Sequence, residues 1–130
     1  MSISSNKDLA RAFVQALIDK RRDDVRKLVS PDATWWISGS LPFSGSHSVE
    51  EIFSGSNELF ADAVSPFTGG IGSIIADKEM VSIESWGRVE LASGQVYHNE
   101  ANLLIQIDNG MIISIKEYGD TDLLRRLFCK

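Results

Sequence analysis

The 130-residue chain is 43% hydrophobic and 24% charged, the balance of a globular protein long enough to bury a core without metal or disulfide staples. Its net charge of −5 argues against nucleic acid or an anionic membrane as partner, and its single cysteine, Cys129, excludes an intrachain disulfide and lies too close to the C-terminus to suggest catalytic use. Met1–Lys7 lacks the apolar core of a signal peptide and no run approaches membrane-spanning length, so one cytoplasmic domain over residues 1–130 is expected.

In chain order, Ser5-Asn6-Lys7-Asp8 reads as a capping box, and Leu9, Phe13, Ala16 and Leu17 recur at helical spacing to about Asp19. The basic run Lys20-Arg21-Arg22 sits at that helix end, where it complements the helix dipole. A second short helix carries Val25, Leu28 and Val29 and stops before Ser30-Pro31, because the residue preceding proline disfavours the α region. Ala33–Ser38 is the first strand, with Thr34, Trp36 and Ser38 on one face and Trp35 and Ile37 on the other. Both faces are largely apolar, so periodicity leaves open which one meets the interior. Gly39–His47 is a loop whose large apolar residues, Leu41 and Phe43, suit either a pocket rim or simple anchoring.

Ser48-Val49-Glu50-Glu51 is a second capping box, opening a helix through Phe53, Leu59 and Phe60 to Val64, where Ser65-Pro66 ends it. Thr68–Gly72 is glycine-rich but lacks the lysine and flanking elements of a phosphate loop. Ser73–Ala76 is a short strand, and Met80–Leu91 a longer one with Val81, Ile83, Ser85, Gly87, Val89 and Leu91 inward. The outward Trp86, Arg88, His98 and Glu100 put an aromatic among charges on an extended sheet, which suggests a homodimer through that face.

Gln95–Ile107 and Met111–Tyr118 flank Asp108-Asn109-Gly110, the strongest short-range hairpin signal because both turn residues need positive φ. Alternation puts Tyr97, Asn99, Ala101, Leu103, Ile105 and Ile107 on one face, and Met111, Ile113, Ile115 and Glu117 on the matching one. Asn99 and Glu117 are thus polar residues on apolar faces, where a carboxylate is costly unless paired or neutral. Glu117 is either neutral with a raised pKa and poised for proton transfer, or ion-paired. Asp120 is the natural N-cap of a last helix bearing Leu123, Leu124, Leu127 and Phe128. His47 and His98 show no metal-ligand spacing, so no metal is expected.

The pattern Gly94-x-x-Tyr97-x-Asn99, an apolar strand, Asp108-x-Gly110-x-Ile112 and Glu117-Tyr118-x-Asp120 resembles the C-terminal half of SnoaL-like and ketosteroid-isomerase-related proteins, in the nuclear transport factor 2-like superfamily. The resemblance extends through Pro31–Trp35 and Leu41–Gly45. It implies a cone-shaped α+β fold of the cystatin-like kind, a strongly curved mixed β-sheet packed on N-terminal helices around one pocket. It also implies that Trp36 and Ser38 face inward, and that relatives pair through the sheet. Ketosteroid isomerase itself is not matched, since Phe13, Ser38, Ala101 and Leu103 stand where its tyrosine and acids belong. Of the limonene epoxide hydrolase set, the final aspartate falls on Glu117, and its tyrosine and asparagine fall on Trp36 and Ser38.

The expectation is a small-molecule pocket protein, a cofactor-independent SnoaL-like enzyme with isomerase-, cyclase- or hydrolase-type acid–base chemistry on an apolar carbonyl- or hydroxyl-bearing compound. Glu117 and Asn99 are the candidate catalytic residues; Trp36, Ser38, Leu41, Phe43, Phe60 and Tyr97 are the candidate ligand contacts. The alternatives are a non-catalytic binder of a hydrophobic ligand, and a dimerisation module with a vestigial pocket.

Overall fold

The computed structural model describes residues 3–129. Met1 and Ser2, part of the segment read for a signal peptide, lie outside the described residues. The elements run α1 (Ile3–Ile18), α2 (Arg22–Leu28), β1 (Val29–Ile37), β2 (Gly45–His47), α3 (Val49–Leu59), β3 (Thr68–Asp77), β4 (Met80–Glu90), β5 (Val96–Asp108), β6 (Met111–Tyr118) and α4 (Thr121–Phe128). One six-stranded sheet has the order β2-β1-β6-β5-β4-β3, with β1 and β6 parallel and every other pair antiparallel. Among the described residues no helix is long and apolar enough to cross a membrane.

The β5–β6 hairpin forms as its turn chemistry dictates, with Asn109 at φ 49° and Gly110 at φ 75°. It sets β5 in the expected phase, so Asn99, Leu103, Ile105 and Ile107 are buried while His98 and Glu100 are exposed. On β6 the phase slips once. Ile107 pairs with Ile112 but Gln106 with Ser114, leaving Ile113 as an extra residue, and a bulge of this kind turns the strand's side chains over. Ile112 is therefore fully buried where Ile113 was expected, and Ile115 and Glu117 still point inward. A second bulge places Gly72 and Ser73 opposite Glu84, whose carboxylate accepts the Ser73 N–H at 3.2 Å.

Other boundaries differ from the sequence reading as well, and β3 begins at Thr68 instead of Ser73, taking in the glycine-rich stretch through its pairing with β4. Helix α1 already includes Ser5, which is therefore not its N-cap. Strand β1 starts at Val29, and its pairing to β6 is interrupted between Val29 and Thr34, around the donorless Pro31. Strand β2 was read as loop, because three Gly, Ser and His residues carry no period to detect. Helix α3 begins with the expected capping box but ends at Leu59 instead of Val64. Beyond it, Val64 N–H donates to the Glu90 carbonyl at 2.8 Å and Ala63 bridges Leu91, so pairing with the end of β4 displaces the last helical turn.

The core lies between α1 and the inner sheet face. Phe13, Ile83, Ile105, Ile112 and Ile115 are sealed there, and the Phe13 and Trp35 rings meet at 5.6 Å. Toward the other end of the sheet the packing opens into a cavity.

Candidate functional site

The cavity encloses about 330 Å³, at the small end of the roughly 300–1,000 Å³ common for ligand pockets. Its wall is mostly apolar, with Trp35 and Ile37 from β1, Phe43 from the following loop, Phe53 and Phe60 from α3 and its end, and Leu124 from α4. Polar side chains line it from the sheet: Tyr97 and Asn99 of β5, Glu117 of β6, Ser85 of β4 and His47 of β2.

Glu117 Oε1 accepts the Trp35 indole N–H at 2.9 Å. Among the described residues no cation pairs with this carboxyl, so burial pushes its pKa above the usual carboxylate range and the single indole bond opposes the shift only in part. No ion pair holds this carboxyl among the described residues, and the direction of its shift is upward. Tyr97 lines the same cavity. Burial first, and then the nearby Glu117 charge, push its phenol above the ordinary value, with the Asn99 side chain opposing. Tyr97 thus remains a hydroxyl donor at any ordinary pH. Its ring packs edge-on against Phe60 at 4.9 Å.

Asn99, only 4% exposed, has a structural task as well. Its Oδ1 accepts the Asp120 backbone N–H at 2.9 Å, and Asp120 in turn caps α4 through the Leu123 N–H at 3.0 Å. The amide thereby ties the cavity floor to the last helix.

Five of the eight expected site residues meet at this cavity: Glu117, Asn99, Tyr97, Phe43 and Phe60. Trp36, Ser38 and Leu41 do not line it. The parallel register pairs Trp35 with Ile115 and Ile37 with Glu117, which brings Trp35 and Ile37 inward and turns Trp36 to the other face. There the Trp36 ring meets Tyr118 at 5.3 Å, with the Lys116 ammonium 6.0 Å away. Ser38 continues the ladder through its N–H to the Glu117 carbonyl, in the same outward phase as Trp36. Leu41 belongs to a loop closed on itself by Ser44, whose hydroxyl donates to the Ser38 carbonyl and accepts the Leu41 N–H, both at 2.9 Å.

Sequence reasoning missed Trp35, Lys20, Arg22 and His47, which all line the cavity. The basic run was assigned to the helix end, but its members divide. Arg21 pairs with Asp24 and Asp19, whereas Lys20 and Arg22 lie over the phenylalanine rings of the cavity wall. The left-handed backbone of Lys20, φ 59°, produces that division, and no local pattern announces it. Among the described residues no group of three His, Cys, Asp or Glu side chains could hold a metal ion.

No family model matches the chain, and no curated protein matches it in sequence. Solved structures do match it. A nuclear transport factor 2-like protein of unknown function from Burkholderia pseudomallei superposes with a TM-score of 0.81 at 17% identity, covering 100% of both chains. TerC, co-crystallised with polyporic acid, has a TM-score of 0.79 at 13% identity, over 97% of this chain and 99% of its own. A putative SnoaL-like polyketide cyclase from a Jannaschia species has a TM-score of 0.73 at 14% identity, over 99% and 95%. At such identities the likeness establishes the fold. This chain has the nuclear transport factor 2-like, cystatin-like fold, and the α+β cone with a mixed sheet expected from the sequence is what is found.

Proposed function

We propose that the cavity takes an apolar small molecule bearing a carbonyl or hydroxyl group, and that Glu117 exchanges a proton with it. The observation that carries this reading is a half-buried carboxyl with one indole donor and, among the described residues, no cation paired to it, facing an open apolar cavity. A carboxyl whose pKa is raised by burial is suited to giving a proton to a carbonyl oxygen of the ligand and, as the carboxylate, taking one from the carbon α to that carbonyl. Such a transfer balances without a co-reactant. Tyr97 supports it as a second donor that keeps its proton. The structural neighbours named for a polyketide cyclase and for a complex with polyporic acid make polycyclic ketones, phenols and polyporic acid the first compounds to try.

Binding is read by quenching of intrinsic tryptophan fluorescence, to which Trp35 in the cavity wall contributes, and turnover by absorbance, for the wild type and for Glu117→Gln. A variant that binds but no longer turns over supports the reading, and equal turnover by both proteins overturns it. Binding by both with turnover by neither leaves a non-catalytic hydrophobic-ligand binder. The open cavity weighs against a purely vestigial pocket.

We also propose pairing of two copies through the outer sheet face. Trp86 is 37% exposed there, stacked at 5.6 Å on His98, beside the exposed pair Arg88 and Glu90. A monomeric mass in light scattering at micromolar concentration excludes it.

A further inference from the structure

Two cations line an apolar cavity of an acidic protein, and among the described residues neither is held in an ion pair. Lys20 Nζ lies 4.7 Å from the centre of the Phe67 ring and 5.8 Å from that of Phe60, and the Arg22 guanidinium lies 4.8 Å from that of Phe53. Both residues line the cavity while keeping contact with solvent, which places them where it opens. Neither enters an ion pair among the described residues, although their neighbours Arg21 and Arg26 each hold two carboxylates. Glu50 feels Arg22, but its carboxylate is already gripped by Arg26 through two bonds of 2.9 Å. The other charged or titratable groups of the rim are also committed: Glu51 accepts the Ser48 N–H at 2.7 Å, and His47 Nε2 lies 2.8 Å from the Phe43 carbonyl.

Two like charges held together and partly out of water are unfavourable, and burial followed by the proximity of Arg22 lowers the Lys20 pKa. Contact with aromatic faces offsets this in part and supplies no counter-charge. Neither cation acts on the Glu117 carboxyl. The cavity therefore has a proton-exchanging group at one place and an unfilled positive site at another, with apolar wall between.

The geometry points to an anion subsite at the cavity mouth, where Lys20 and Arg22 hold the acidic group of a ligand whose apolar body fills the cavity. This rests on the cavity reading above and narrows it, from any apolar carbonyl or hydroxyl compound to one that also carries an anionic oxygen group such as a carboxylate. Arg22 offers a planar fork for such a group and Lys20 a point charge. The net charge of −5 makes the arrangement selective, since the rest of the surface repels acids weakly while the mouth attracts them.

The test uses two dyes on one scaffold, 8-anilinonaphthalene-1-sulfonate and its uncharged parent N-phenyl-1-naphthylamine. Each is titrated by fluorescence into wild type and into the Lys20→Met/Arg22→Met double variant. The subsite predicts that the variant loses about tenfold or more in affinity for the sulfonate while its affinity for the neutral dye stays within about twofold. The neutral dye reports that the variant's cavity has folded. For the wild type, raising sodium chloride should weaken the sulfonate and leave the parent unchanged. Equal loss of both dyes, or loss of neither, overturns the subsite and leaves the cavity reading standing. No binding of either dye to the wild type overturns both.

Discussion

The indole of Trp35 reaches Glu117 across 82 residues of sequence, donating to its carboxyl at 2.9 Å from the neighbouring parallel strand. One buried N–H is a modest donor set for a carboxylate, which in a stable buried site accepts two or three. The indole therefore holds the carboxyl in place and offsets only part of its desolvation.

The first prediction is a pH-dependent stability with a defined sign. Glu117 has its pKa raised in the native state, so its contribution to stability is fully present below the unfolded-state carboxyl pKa. That contribution is lost as pH rises through the native pKa. Glu117→Gln removes the titration and still offers Trp35 an oxygen, so it should be more stable than wild type at neutral pH. The gap should close under acid conditions. Urea unfolding of both proteins between about pH 4 and 8 measures it. For a substrate that is turned over, the same variant should lose roughly 10²–10⁴-fold in rate.

Much of this arrangement was legible in the chain. Asn109-Gly110 sets the register of β5, and the register alone turns Tyr97 and Asn99 into the cavity and His98 and Glu100 away from it. On β1 alternation left the face open, because Trp35 and Trp36 are equally apolar, and the pairing with Ile115 turns Trp35 inward, opposite to the phase the resemblance implies. The bulge at Ile113 was also beyond alternation, since an inserted residue leaves no mark on composition. Lys20 and Arg22 lay hidden for a third reason: their direction depends on one positive φ between two helices.

Trp35→Phe should separate holding from packing. It deletes the indole donor and some buried volume, so stability should fall by about 1–3 kcal/mol. Losing the bond that opposes desolvation should move the Glu117 pKa further up. Side-chain ¹³C NMR titration of Glu117 reads this directly. An unchanged midpoint would show that the indole bond does not influence the carboxyl.

Gly87 is predicted to tolerate no side chain. A Cβ there would meet the Phe67 ring at 2.6 Å, and Phe67 is the ring beneath Lys20. Gly87→Ala should cost about 1–3 kcal/mol through overpacking and should displace Phe67 toward the cavity, weakening binding of either naphthalene dye. Thermal unfolding and the same fluorescence titration check the two effects separately.

Asn99 offers the last test, because its side chain has two possible tasks that different substitutions divide. Its Oδ1 satisfies the Asp120 N–H at the entrance of α4, and its amide bears on the Tyr97 hydroxyl. Asn99→Leu keeps approximate volume but strands a backbone donor, so a loss of about 1–3 kcal/mol is expected. Asn99→Asp keeps the acceptor for Asp120 and replaces the amide by a second carboxyl near Glu117. Two carboxyls in one apolar site cannot both ionise cheaply, so the Asp variant should match wild type near pH 4 and fall behind it as pH rises. Its loss of activity toward any ligand that is turned over should follow the same pH course. If instead the Asp variant is destabilised equally at every pH, the fault lies in the lost amide donor. Asn99 would then belong to the scaffold of α4 and drop out of the candidate catalytic residues, leaving Glu117.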